Sequence, residues 1–199
     1  MAQQPSTPSQ MPQELDTVYV SFLAEVTPTT AEGLLAACTG LVNKKVKTIY
    51  LMFSTPGGHV AAGIHVYNVL KALPCKIVTH NVGSVNSIGN VVFLAGDERY
   101  ANPGTTFMFH GVGFDVQQNT RLEEKMLRER LDAIRADQKK IAHIIRSRTS
   151  FPDEGEIATL FLEAATKDTE FAKDRGIIHD VREAKVPDGA PILQLILKR

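Results

Sequence analysis

The chain has 199 residues, 43% of them hydrophobic and 22% charged, values of one folded domain that exclude a disordered or collagen-like chain. Its 22 Lys and Arg balance its 22 Asp and Glu, so no whole-protein field recruits nucleic acid or an anionic membrane. Cys38 and Cys75 are too few for a disulfide framework and lack metal-ligand spacing, and with neither a transmembrane run nor a signal peptide the expected location is cytoplasmic.

Residues 1–14 (MAQQPSTPSQMPQE) offer almost nothing to bury and read as a disordered tail, with one domain over 15–199. Thr17 to Phe22 is β-branched and aromatic, a strand, and Thr29 or Thr30 is placed to cap a helix through Leu34, Leu35, Cys38 and Leu41. Lys47 to Phe53 reads as a strand of a sheet covered on both faces, stopped at Thr55-Pro56-Gly57-Gly58. Val60, Ile64, Tyr67, Leu70 and Leu73 recur at helical spacing, and Lys76 to His80 is the next strand. The alternation predicts an α/β architecture with a parallel sheet.

A short buried helix is expected within Val85 to Gly96, then strands at Arg99–Ala101 and Thr106–His110. Residues Arg121 to Arg148 lack Gly and Pro and carry apolar residues at helical spacing. Such a helix would reach about 40 Å, more than a domain of this size covers, so part of it must project or find a partner. Near the end, a short helix from Thr169 with a stop at Gly176 precedes a final apolar strand within Ala190 to Leu197.

Three segments carry candidate chemistry. Thr55-Pro56-Gly57-Gly58 is either a plain strand-to-helix turn or a place where bare backbone N–H groups reach a ligand, as an oxyanion hole requires. Gly83-Ser84-Val85-Asn86-Ser87-Ile88-Gly89 puts two serines where a strand opens a helix, each a nucleophile candidate or a helix cap. Met108-Phe109-His110-Gly111-Val112-Gly113 ends a strand on a histidine, and imidazole is the ordinary base that activates a serine. The glycines beside it leave a backbone edge on which an extended peptide can pair. The other histidines form no ligand-spaced set, so no metal is expected.

In this order the three motifs, the long helix and the late Gly176-Ile177-Ile178-His179-Asp180 resemble the proteolytic subunit of the Clp protease, over about Val18 to Val181. The resemblance implies a ClpP/crotonase-like α/β fold of repeated β-β-α units with a long projecting handle helix. It implies a serine endopeptidase without cofactor, in which Ser87 is the nucleophile, His110 the base and the Gly58 and Ile88 N–H groups the oxyanion donors. Gly111 and Gly113 would line the substrate strand. Ser87 is preferred to Ser84 because Gly83 and Gly89 flank it as the family glycines flank their serine. Ungapped alignment back from Gly176 puts Ala164 where the family has its acid; Glu163 next to it is the nearest candidate, with Asp168 further off. The resemblance further implies a polypeptide substrate, a homo-oligomer of stacked rings joined through the handle helix near Leu127, Leu131 and Ile134, and an AAA+ unfoldase ATPase as a candidate partner. Nucleic acid and membrane are not expected partners. Two other readings stand beside it: a catalytically weak structural ring subunit, and a crotonase-type acyl-CoA enzyme.

Overall fold

The structure, a computed structural model, describes residues 16–116, 118–119 and 121–195. The expected tail, and the last residues of the expected final strand, lie outside the described residues. The elements in chain order are β1 (Thr17–Leu23), α1 (Pro28–Asn43), β2 (Thr48–Thr55), α2 (Val60–Ala72), β3 (Lys76–Asn86), α3 (Gly89–Phe93), β4 (Glu98–Ala101) and β5 (Thr106–Met108). They continue with α4 (Glu124–Arg148), α5 (Glu154–Glu163), β6 (Thr166–Lys167), α6 (Thr169–Asp174), β7 (Asp180–Val181) and β8 (Ile192–Gln194).

Strands β8, β1, β2 and β3 lie side by side and parallel. The far edge of β3 serves two partners: Val78–Asn81 pair with β4, and Ser84–Asn86 pair with β5, both parallel. The antiparallel β6 closes on β5, and β7 on β4. The fold is α/β, as expected. Against the expectation of a sheet covered on both faces, β2 alternates: Ile49, Leu51, Phe53 and Thr55 are buried while Thr48, Tyr50, Met52 and Ser54 are half-buried. The buried set packs with Leu34, Cys38 and Leu41 of α1 and Val66 and Leu70 of α2. The half-buried face carries a row of rings, Tyr19, Tyr50, His80 and Tyr100, with successive centroids 4.9, 5.8 and 6.0 Å apart.

Three local readings differ from the sequence expectation. The cap of α1 is Thr27, whose Oγ1 accepts from the Thr30 N–H at 3.2 Å while the Thr27 N–H donates to Thr30 Oγ1 at 2.9 Å. Pro28 fits the first helical turn because its missing N–H would have no partner there, which moves the cap back to Thr27. The buried helix expected from Val85 is shorter, because β3 runs on to Asn86 to pair with β5. Helix α5 lies outside the sequence expectation, although Asp153 caps it by accepting from the Glu156 N–H at 3.0 Å.

Helix α4, at about 1.5 Å per residue, is roughly 37 Å long. Only Ile141, Ala142 and Ile145 toward its C-terminus are buried, and Met126, Leu127 and Leu131 are exposed. Its C-terminal end is fixed by Arg99, which is 5% exposed. This guanidinium donates to the carbonyls of Gly96, Arg148, Gly176 and Ile177 at 2.8–3.1 Å. Burial, and then the charge of Arg148, pushes its pKa down to about 10.

Candidate active site

Parallel neighbours end on the same edge of a sheet, and in open α/β sheets that C-terminal edge is where ligands bind. Here the edge collects the three segments singled out in the sequence. Thr55 of β2 is in register with Val85 of β3, and Asn86 of β3 with Met108 of β5. The residues that follow, Pro56-Gly57-Gly58, Ser87-Ile88 and Phe109-His110, therefore leave the sheet side by side.

At Ser87 the chain must turn from strand to helix within two residues, and it does so with φ 56°, a left-handed backbone that L-residues rarely adopt. The turn is held by the Ser87 N–H donating to Met108 O at 2.8 Å. Gly57 (φ 97°) passes directly over it. A Cβ on Gly57 would stand 2.6 Å from Ser87 Cβ and 2.9 Å from Asn86 O, so only glycine allows this approach. The following residue is locked by the sheet and its extension: the Val26 N–H donates to Gly57 O and the His59 N–H to Val26 O, each at 2.7 Å. That leaves the Gly58 N–H without a partner among the described residues, and the Ile88 N–H is likewise unengaged.

Gly58, Ser87, Ile88, His110 and Gly113 line one cleft of about 170 Å³. Its walls are otherwise apolar: Val60, Phe109, Val112, Ile141, Ile145 and Phe161. Phe109 and Val112 lie in the histidine segment and Val60 starts α2, but the sequence assigns none of the six to a cleft wall. Three of them come from α4 and α5, far away in sequence, and only the fold brings them to the serine. Ser84 is placed elsewhere, at the irregular β2–β3 pairing, where its N–H donates to Ser54 Oγ at 3.2 Å.

His110 is exposed, and its Nδ1 lies 2.8 Å from Gly111 O. A carbonyl can only accept, so Nδ1 carries the proton and, in the neutral ring, Nε2 keeps its lone pair. Ser87 and His110 line the same cleft, and no hydrogen bond joins them. Gly111 lies beside the cleft and its N–H is already committed to Phe161 O at 3.0 Å.

Neither acid candidate is hydrogen-bonded to the histidine. Glu163 ends α5, exposed, and its carboxylate makes no hydrogen bond or ion pair among the described residues. The Asp168 carboxylate caps α6, accepting from the Phe171 N–H at 2.9 Å. The Phe109 N–H donates to Ala165 O at 2.8 Å and the Gly111 N–H to Phe161 O, so the end of α5 is bonded to the residues on either side of His110. Ala164, between those two attachment points, is left-handed with φ 49° and presents a methyl group. Among the described residues, no cluster of three or more His, Cys, Asp or Glu is placed to hold a metal ion, and no helix is long and apolar enough to cross a membrane.

This edge-of-sheet arrangement has known counterparts. A variant of ClpP1 from Listeria monocytogenes superposes with a TM-score of 0.73 at 20% identity, over 86% of this chain and 93% of that one, which establishes the fold. The ATP-dependent Clp protease proteolytic subunit 2 of Pseudomonas aeruginosa is 32% identical over 97 residues, 45% of this chain and 48% of that protein. Proteolytic subunit 1 of Corynebacterium jeikeium is 33% identical over 120 residues, 53% of this chain and 64% of that protein. The alignments thus span about half to two thirds of the curated relatives' length. The Clp protease family model matches residues 6–185, nearly the whole chain. The chain belongs to the Clp protease family.

Proposed function

We propose that the chain is a serine endopeptidase. Ser87 Oγ attacks the peptide carbonyl, His110 Nε2 takes its proton and returns it to the leaving amine, and the Gly58 and Ile88 N–H groups receive the oxyanion. Water then repeats the sequence on the acyl-enzyme with His110 again as base. The observation that carries this reading is the combination of a left-handed Ser87 at the mouth of a cleft with two unengaged backbone N–H groups and a histidine beside it. The apolar walls favour an apolar side chain N-terminal to the scissile bond. Gly113 and the chain around it offer backbone for the substrate strand.

The site runs as a dyad in which the Gly111 carbonyl, rather than a carboxylate, orients the imidazole. The exposed apolar stripe of α4 supports assembly with further copies into stacked rings; an unfoldase ATPase that delivers polypeptide and a cytoplasmic location are proposed on the family membership alone. Peptide hydrolysis tests the proposal. Fluorogenic peptides with Leu or Met before the scissile bond should be cleaved, those with Asp there should not, and Ser87→Ala should abolish turnover. Equal turnover by wild type and Ser87→Ala would refute it.

One observation favours a second reading, a catalytically weak ring subunit: no carboxylate among the described residues is hydrogen-bonded to His110, whose Nδ1 is held by Gly111 O instead. In the Ser-His-Asp template, loss of the acid costs orders of magnitude in rate. The acyl-CoA reading has no comparable support, since no carboxylate side chain lines the cleft.

A further inference from the structure

Asn90 sits in the first turn of α3, 1% exposed, and its side chain is used in an uneven way. Nδ2 donates to Ser87 O at 3.0 Å and to Met108 O at 2.8 Å, while Oδ1 is buried with no partner. An orphaned amide oxygen in a core is unfavourable, and an apolar side chain of similar size would avoid it. The two bonds from Nδ2 therefore call for an account. They do not supply missing partners, because both carbonyls already have backbone donors: Met108 O accepts the Ser87 N–H and Ser87 O accepts the Asn90 N–H. What they add is a cross-link. One end grips the carbonyl of the left-handed nucleophile candidate, the other the strand that delivers His110 two residues later.

We propose that Asn90 is a positioning residue that fixes the Ser87 turn against the β5 strand and so sets the distance between Ser87 and His110. The inference rests on the serine hydrolase reading above. With no carboxylate holding His110 from the far side, the relation between serine and histidine depends on the backbone of β5 and of the Ser87 turn, which Asn90 joins. Loosening the joint leaves substrate binding in the apolar cleft intact and degrades attack geometry, where a displacement of about 1 Å costs on the order of 100-fold in rate.

The test uses the full chain and a fluorophosphonate probe, with the labelling rate constant and the final amount of adduct measured separately. For Asn90→Leu, which keeps the volume and removes both donors, the rate constant should fall between about tenfold and 100-fold. The final adduct per chain, the thermal midpoint and KM for a peptide substrate should stay near wild type. A purely structural role would do the reverse, reducing the amount of adduct at an unchanged rate constant, and that result overturns the proposal. So does wild-type labelling by a folded Asn90→Leu. Should Asn90→Leu fail to fold, Asn90→Ser, which is smaller and keeps one donor, carries the same two outcomes. Absence of any Ser87-dependent adduct in the wild type would overturn the hydrolase reading, and this inference with it, whereas failure confined to the Asn90 variants overturns this inference alone.

Discussion

The left-handed backbone at Ser87 makes opposite demands on stability and activity, and a pair of substitutions separates them. A non-glycine residue at this kind of φ is strained by about 1–2 kcal/mol, because its Cβ crowds the neighbouring carbonyl. Ser87→Ala removes the hydroxyl and keeps that strain, whereas Ser87→Gly removes both. Glycine brings its own conformational entropy loss of about 0.5–1 kcal/mol on folding, so the glycine variant should exceed the alanine variant by about 1 kcal/mol. For a chain of this length that corresponds to about 2–4 °C in thermal midpoint. Both variants should be inactive, so a more stable protein would be obtained by removing the proposed nucleophile, as expected where strain serves function. The assay is thermal unfolding at matched protein concentration, with peptide hydrolysis alongside. An alanine variant as stable as the glycine variant would show that position 87 is not held left-handed, and the argument that Ser87 is presented by a strained turn would fail.

Ala164→Asp should restore an orienting carboxylate, since the end of α5 is already bonded on both sides of His110 and Asp tolerates a left-handed backbone better than Ala. Peptide turnover is expected to rise by about tenfold or more, and an unchanged rate would show that the side chain at 164 does not reach the imidazole. His80 is buried, with Nε2–H donating to Arg182 O at 2.9 Å and Nδ1 accepting from the Tyr50 hydroxyl at 2.6 Å. Burial first of all holds its pKa below the usual imidazole range. The unfolded chain therefore binds a proton near pH ~6.5 that the folded chain refuses until lower pH, so stability falls as pH drops through that window. Denaturation midpoints at neutral pH and at about pH 5.5 should show this loss, and His80→Gln should reduce it. A residual slope should come from His179, held low by burial and then by the charge of Arg99. Leu131→Glu places a charge in the exposed stripe of α4, and sedimentation should show a particle of half the wild-type mass. A monomeric wild type at micromolar concentration would remove the basis for ring assembly through this helix.

Much of the fold was legible because local chemistry and tertiary structure agreed. The strand ending at Thr55-Pro56-Gly57-Gly58 and the Gly- and Pro-free run into α4 carry their periodicity and their stops in a few adjacent residues. The cap of α1 is not legible from the threonines alone, because Pro28 fixes the helix start and makes Thr27 the cap. The length of β3 depends on its pairing with β5 twenty-odd residues later, which no window around Ser87 reports. Helix α5 was legible in principle from Asp153 and Glu156 after Pro152. In the site, Ser87, His110 and Gly58 stood in recognisable motifs, whereas the apolar wall contributed by Ile141, Ile145 and Phe161 exists only once α4 and α5 fold back over the sheet. Asn90 carried no sequence signal for its role, since a polar residue in a helix's first turn is unremarkable until its burial and its two carbonyl partners are known.

The central claim, that Ser87 is a nucleophile activated by His110, is tested most directly by intact-mass analysis and peptide mapping after exposure of the full chain to a fluorophosphonate. One adduct per chain is predicted, mapped to Ser87, absent in Ser87→Ala and strongly slowed in His110→Ala. No adduct in the wild type, or an adduct at Ser84 that persists in Ser87→Ala, would contradict the account.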